Sequence, residues 1–200
     1  MSLATSYRFI APFYDAAIAR ATVSARRASL AQLKHPGQRV LIAGIGTGLD
    51  VPLLPEGNRY VGVDLTSAML DRVPRRRTDL RLDLVRGDAM RLPFAKATFD
   101  AVVLHLILAV VPDSRRCLAE AARVVKPGGS VLVFDKFLRP DERGTLRRAL
   151  NPISQRLATR LDVVFEDALA AAPSLEVVAD EPALVSGWFR RIRLVKRKGK

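Results

Sequence analysis

The chain has one cysteine, Cys117, and two histidines, His35 and His105, in 200 residues. A lone cysteine excludes a disulfide framework and any Cys-based zinc site. Two histidines far apart in sequence offer no ligand set for a structural metal, so no metal is expected. Aromatic residues make up only 6%, fewer than a stacking platform for single-stranded nucleic acid usually carries. No segment approaches the roughly 20 unbroken apolar residues that a membrane-spanning helix needs; the longest apolar run, Ala101 to Pro112, is interrupted by His105. A charged segment followed by an apolar one is missing from the N-terminus, which predicts a cytoplasmic protein. Internal repeats and low-complexity tracts are absent too. Set against these absences are a hydrophobic content of 49%, ample for one substantial core, and a net charge of +13. Such an excess points to an anionic partner: nucleic acid, an anionic membrane surface or a phosphorylated substrate.

Short apolar runs bounded by glycines recur at Arg39–Ala43, Tyr60–Val63, Leu80–Val85, Phe99–Leu104 and Ser130–Phe134. They read as buried parallel strands. Helical stretches alternate with them. Ala16–Lys34 is rich in Ala, Leu and Arg and is closed by Pro36-Gly37; Ser67–Val73 and Ser114–Val125 follow, the latter with Leu118, Ala121, Ala122 and Val125 at helical spacing. This alternation predicts an α/β fold, a Rossmann-like doubly wound sheet. Beyond it, Arg139–Arg160 reads as two short basic helices, Phe165–Ala172 as a helix stopped by Pro173, and Leu175–Ala179 and Trp188–Val195 as two closing strands. The expected organisation is a single domain over 1–200: an N-terminal helical lid (1–35), a cofactor-binding core (38–137), an acceptor-side helical insert (138–173) and closing strands (174–200).

Three strand ends carry chemistry. Gly44-Ile45-Gly46-Thr47-Gly48 follows the first strand, where glycines let backbone approach a ligand at the place open α/β sheets bind cofactors. No Lys-Ser/Thr follows, which excludes a Walker phosphate loop, and the glycine spacing departs from the dinucleotide fingerprint. Asp64 ends the second strand and suits a ribose acceptor or a cap for the helix at Ser67. Asp88, in Gly87-Asp88-Ala89-Met90, suits an acceptor for an adenine amino group, with Met90 packing on the ring, or again a cap. His105 closes the fourth strand as a general base, a substrate donor or a satisfied rim histidine. His35, beside Pro36, reads as a surface residue.

In this order, and with Leu92-Pro93-Phe94, Thr98-Phe99-Asp100-Ala101-Val102-Val103 and Arg123-Val124-Val125-Lys126-Pro127-Gly128-Gly129, the sequence resembles the class I S-adenosylmethionine-dependent methyltransferases. The resemblance is to their small-molecule branch, which contains quinone and phospholipid (phosphatidylethanolamine) methyltransferases, and it runs from about Tyr7 to Phe137. It implies a seven-stranded sheet with an antiparallel last strand and a cofactor site at Ala43, Gly44, Gly46, Gly48, Asp64, Leu65, Met69, Asp88, Ala89 and Met90. Tyr14 of the N-terminal segment and His105 join that site by resemblance and are the expected catalytic pair. The Tyr14-Asp15 segment also reads as a hydrophobic staple and N-cap for the helix from Ala16. One position departs from the pattern: the acid usually found two residues before the first glycine is Ile42 here. Asp50, just past the loop, either compensates or starts a helix, and the second reading is preferred.

The resemblance implies transfer of a methyl group by in-line displacement to a small or amphiphilic acceptor, a phospholipid headgroup amine or a quinone precursor, leaving S-adenosylhomocysteine. Basic clusters at Arg75–Arg77, Arg147–Arg148 and Arg190 onward to Lys200, with Phe137, Leu138, Leu146, Leu150 and Ile153 among the charges of the insert, resemble an interfacial region in contact with the inner face of an anionic membrane. No stable nucleic-acid partner is expected. The alternatives are an RNA methyltransferase, a non-catalytic SAM- or RNA-binding module and, least of all, a nicotinamide oxidoreductase.

Overall fold

The computed structural model describes residues 20–73, 80–138, 163–184 and 187–199. Helix α1 (20–30) leads into β1 (Arg39–Ala43), followed by β2 (Arg59–Asp64), the single turn α2 (Ser67–Leu70), β3 (Arg81–Arg86), β4 (Phe99–His105), α3 (Ser114–Val124), β5 (Val125–Lys136), α4 (Phe165–Ala170), β6 (Leu175–Leu184) and β7 (Phe189–Lys196). The seven strands form one sheet in the order β3-β2-β1-β4-β5-β7-β6. β1 to β5 are parallel, and β7 runs antiparallel to both its neighbours. Chain order reverses between β1 and β4, which opens a crevice at their C-terminal ends.

The apolar runs are continuous because both faces of the sheet are covered. Val40, Ile42, Ala101, Val103 and Leu132 point into one layer, where Leu30 at the end of α1 and Leu33 in the turn after it pack on them. Their neighbours Leu41, Ala43, Val102, Leu104, Val131 and Val133 point into the other, against Cys117, Leu118, Ala121 and Ala122 of α3. Asp113 caps α3 by accepting from Arg116 N at 3.1 Å. Burial and the nearby carboxylates push the Cys117 thiol up to about 12, so the one cysteine is inert.

Several element ends differ from the sequence expectation. α1 stops at residue 30, ahead of Pro36, and α2 is far shorter than Ser67–Val73. Pro127-Gly128-Gly129 reads as a turn before a strand, yet β5 already begins at Val125 and passes through it with a register shift against β4. Gly129 makes this passage possible. A Cβ there would lie 2.7 Å from the Asp100 carbonyl oxygen and 2.8 Å from a Val125 methyl. The Asp100 side chain pins the same corner, accepting from Lys126 Nζ at 2.6 Å and Arg39 N at 2.8 Å. Gly129→Ala is therefore expected to destabilise the protein by about 1–2 kcal/mol, read as a lower urea midpoint at unchanged m-value.

Leu92-Pro93-Phe94 has a structural explanation as well. Leu92 N donates to Glu120 Oε2, and Arg123 donates to the carbonyls of Leu92 and Phe94. The C-terminal basic cluster is largely tied up internally. Arg190 pairs with Asp180 and Glu166 and lies over the rings of Phe137 and Phe165, Arg191 pairs with Glu181, and buried Lys196 donates to the carbonyls of Ala122 and Val125. Arg190 and Arg191 are thus not a free cationic patch. The Arg75–Arg77 cluster, the Arg139–Arg160 stretch and Tyr14 lie outside the described residues. Among the described residues no helix is long and apolar enough to cross a membrane, and none group as a metal site.

Candidate active site

A cleft of about 400 Å³ opens at the C-terminal ends of β1 to β5, within the size range of small-molecule sites. Its floor is the loop after β1. Gly46 sits there at φ +56° with nothing within 4 Å of where a Cβ would stand, so bare backbone faces the open space. Asp64, at the end of β2, fixes that loop. Its Oδ2 accepts from Gly46 N at 2.9 Å, while Oδ1 accepts from the Thr66 amide and hydroxyl, each at 3.0 Å. The capping alternative for Asp64 gives way here, since the residue at the N-cap of α2 is Thr66. Asp88 turns its own loop by accepting from Met90 N at 2.8 Å.

Gly44, Gly46, Asp64, Leu65, Met69, Asp88, Ala89, Met90 and His105 all line the cleft. Ala43 and Gly48 do not. Ala43 is 1% exposed within the α3-side core, and Gly48 lies against Val51 and Val73. Their contribution is to shape the loop. Ile42 likewise packs wholly in the core.

His105 occupies a different setting from the free base that its strand-end position suggests. Both ring nitrogens are engaged: Nδ1 lies 2.9 Å from Asp50 Oδ2 and Nε2 lies 2.9 Å from Ser29 Oγ. Asp50 Oδ1 in turn accepts from the Arg26 guanidinium at 3.0 Å, and the same guanidinium nitrogen donates to the Leu49 carbonyl. Burial alone would raise the Asp50 carboxyl; His105 and Arg26, through charge and hydrogen bonds, overcome it and hold Asp50 below its ordinary value of 3.8. Asp50 therefore stands ionised beside the loop, and its side chain makes no cap bond to the short 3₁₀ turn at Val51–Leu53. Ser29, His105 and Asp50 reproduce the contact order of a hydrolytic triad, but Ser29 is 0% exposed and has no reachable substrate.

The far wall was missed in the sequence. Asp135 and Lys136 at the end of β5 and Phe189 at the start of β7 line the cleft. Lys136 and Phe189 are cross-strand partners, and Phe189 stacks on Phe134 at 5.7 Å. Asp135 Oδ2 accepts from Ala109 N and Oδ1 from its neighbour Lys136 N. Burial pushes its carboxyl up to about 6 and pulls the Lys136 ammonium down from 10.5. The signal that marks Asp64, a carboxylate closing a buried strand, marks Asp135 equally well.

Residues 41–133 match the sequence profile of a family described as Methyltransferase domain. A phosphatidylethanolamine N-methyltransferase of Cereibacter sphaeroides is 34% identical over 191 residues, covering 92% of this chain and 93% of the relative. The chain belongs to the S-adenosylmethionine-dependent methyltransferases. A demethylmenaquinone methyltransferase of Renibacterium salmoninarum is 43% identical over 163 residues, covering 76% of this chain and 67% of its own. The fold is shared with geranyl diphosphate C-methyltransferase of Streptomyces coelicolor A3(2), solved with S-adenosyl-L-homocysteine, at a TM-score of 0.70 and 19% identity, over 88% of this chain and 76% of that one.

This methyltransferase uses S-adenosylmethionine, and the cleft fits it. The open floor at Gly46 and the two carboxylates closing β2 and β3 supply the close backbone approach and acceptors that an adenosine requires. When bound, the cofactor supplies an electrophilic methyl group on a positively charged sulfur.

Proposed function

We propose that this methyltransferase acts on the headgroup amine of an ethanolamine phospholipid taken from an anionic membrane surface, with Asp64 and Asp88 holding the adenosine. The observation that carries this reading is the length of the match: the Cereibacter phosphatidylethanolamine N-methyltransferase aligns over 93% of its own length. The far wall agrees with it. Lys136 offers a partly desolvated cation, paired across the sheet with Phe189 on the same wall, and a phosphodiester lies two carbons from the amine in such a headgroup. Asp135, ionised at neutral pH, stands next to Lys136 where an ammonium must shed its proton before it becomes a nucleophile. A quinone-ring acceptor is the second reading, favoured by the higher identity to the demethylmenaquinone enzyme over the shared part. Tyr14, from the N-terminal segment, remains a proposed neighbour of the methyl-transfer point.

The test incubates the protein and methyl-labelled S-adenosylmethionine with anionic vesicles containing phosphatidylethanolamine, with a demethylated menaquinol in detergent, and with RNA. Label is expected in N-methylated lipid, falling as salt screens the vesicle surface. Lys136→Ala should raise KM for the vesicles about tenfold at little change in kcat, the effect of losing one charge-assisted contact. Label in the quinol alone selects the second reading, and label in RNA alone overturns both.

A further inference from the structure

Among the described residues the cleft has four acidic side chains on its wall, Asp50, Asp64, Asp88 and Asp135. Asp64 and Asp88 belong to the ends of β2 and β3, on the adenosine side. With the strand order β3-β2-β1-β4, the other end of the cofactor falls at β1 and β4, where Asp50, Arg26 and His105 line the same space. That end of S-adenosylmethionine is an amino acid carrying one ammonium and one carboxylate. Nothing at Ile42 can meet the ammonium, because its side chain is 2% exposed in the core.

We propose that Asp50 is the cofactor-binding carboxylate that receives the ammonium of the amino-acid end, and that His105 and Ser29 are positioning residues that hold it there. The cofactor class is established independently of the acceptor, so this assignment does not rest on the lipid reading. Each Asp50 oxygen spends one lone pair, on Arg26 or on His105, and a carboxylate retains further acceptor sites. With Arg26 on the same wall, both charges of the amino-acid end meet an opposite charge. His105 Nδ1–H donates to Asp50, since Asp50 is ionised, and Ser29 fixes the ring through Nε2. The chain of contacts ties α1, the end of the glycine loop and β4 to one carboxylate. A buried ion pair of this kind is weak as a source of stability, and its place on the cleft wall gives it a binding role instead.

The test compares two ligands by calorimetric titration: S-adenosylhomocysteine, and 5′-methylthioadenosine, which keeps the adenosine and sulfur but lacks the amino-acid end. Asp50→Asn is expected to weaken S-adenosylhomocysteine about tenfold or more and to leave 5′-methylthioadenosine unchanged. His105→Leu should reproduce that selective loss. His105→Asn, whose amide donates from the place of Nδ1–H, should restore the affinity. Equal losses for both ligands in Asp50→Asn or His105→Leu would mean a general role in shaping the cleft and would overturn the proposal, as would no loss for either. Should Asp50→Asn fail to fold by circular dichroism, the two His105 variants decide the question.

Discussion

Replacing Asp64 by alanine is expected to weaken S-adenosylhomocysteine binding by roughly two orders of magnitude, about 3 kcal/mol, because two charge-assisted roles are lost together. The first is the role proposed for it at the end of β2, as acceptor for the cofactor ribose. The second is internal: the carboxylate holds Gly46 N at 2.9 Å and the Thr66 amide and hydroxyl at 3.0 Å. Without it the glycine loop loses its tie to the β2–α2 turn, and the backbone that must approach the cofactor is no longer preset. Asp88→Ala should cost less, since Asp88 holds only the Met90 amide of its own turn. Calorimetric titration of both variants with S-adenosylhomocysteine measures this. Unchanged affinity in Asp64→Ala would remove the adenosine from the end of β2, and a larger loss in Asp88→Ala would reverse their ranking.

Asp64 was visible in the sequence for the same reason that β2 was. Tyr60-Val61-Gly62-Val63 is buried on both faces and reads as an unbroken apolar run, so the first charged residue after it marks the strand end. β1 and β4 follow the same logic. β5 does not, because Pro127, Gly128 and Gly129 carry a turn signature and only the contact with Asp100 across the sheet makes them strand. β6 runs on to Leu184, past the expected Ala179, since an outer strand needs no apolar face and its charged residues pair with β7. α1 has helix formers as far as Lys34 but stops at residue 30, from where Leu30 and Leu33 pack on the sheet; tertiary packing overrides propensity there. The Arg26–Asp50–His105–Ser29 contacts join residues from three separate segments, and no local pattern encodes them. Asp50 does stand at a helix start, the N-cap position of the 3₁₀ turn Val51–Leu53, but its side chain goes to partners from a helix before the loop and a strand end well beyond it.

Folding stability should pass through a maximum in mild acid and then decline as the pH rises through about 6, and Asp135 is the cause. In the folded protein this carboxyl is 1% exposed and titrates at about 6, against an ordinary 3.8. Between those values the native state holds a proton that the unfolded chain has released, so raising the pH favours unfolding. The difference is a little over two pH units, worth roughly 3 kcal/mol once Asp135 is fully ionised. Asp50, Asp100 and Glu120 act in the opposite sense. All three are held below their ordinary values, so their contributions are lost in acid and are complete above about pH 5. Urea unfolding from about pH 4 to 8 should therefore show wild-type stability falling as the pH rises toward and through about 6 and level above about pH 7, where Asp135 is ionised in both states. Asp135→Asn should abolish the fall and give a nearly flat profile above about pH 5. Its absolute stability is not the readout, because the amide meets two backbone N–H donors, Ala109 and Lys136, with only one acceptor oxygen. A wild-type profile that rises toward neutrality, or a variant that keeps the wild-type fall, would show that Asp135 is not protonated in the folded state. An ionised carboxylate that costs the fold this much at neutral pH has a place to match: beside Lys136 on the far wall it lines the cleft and sets the loop carrying Ala109.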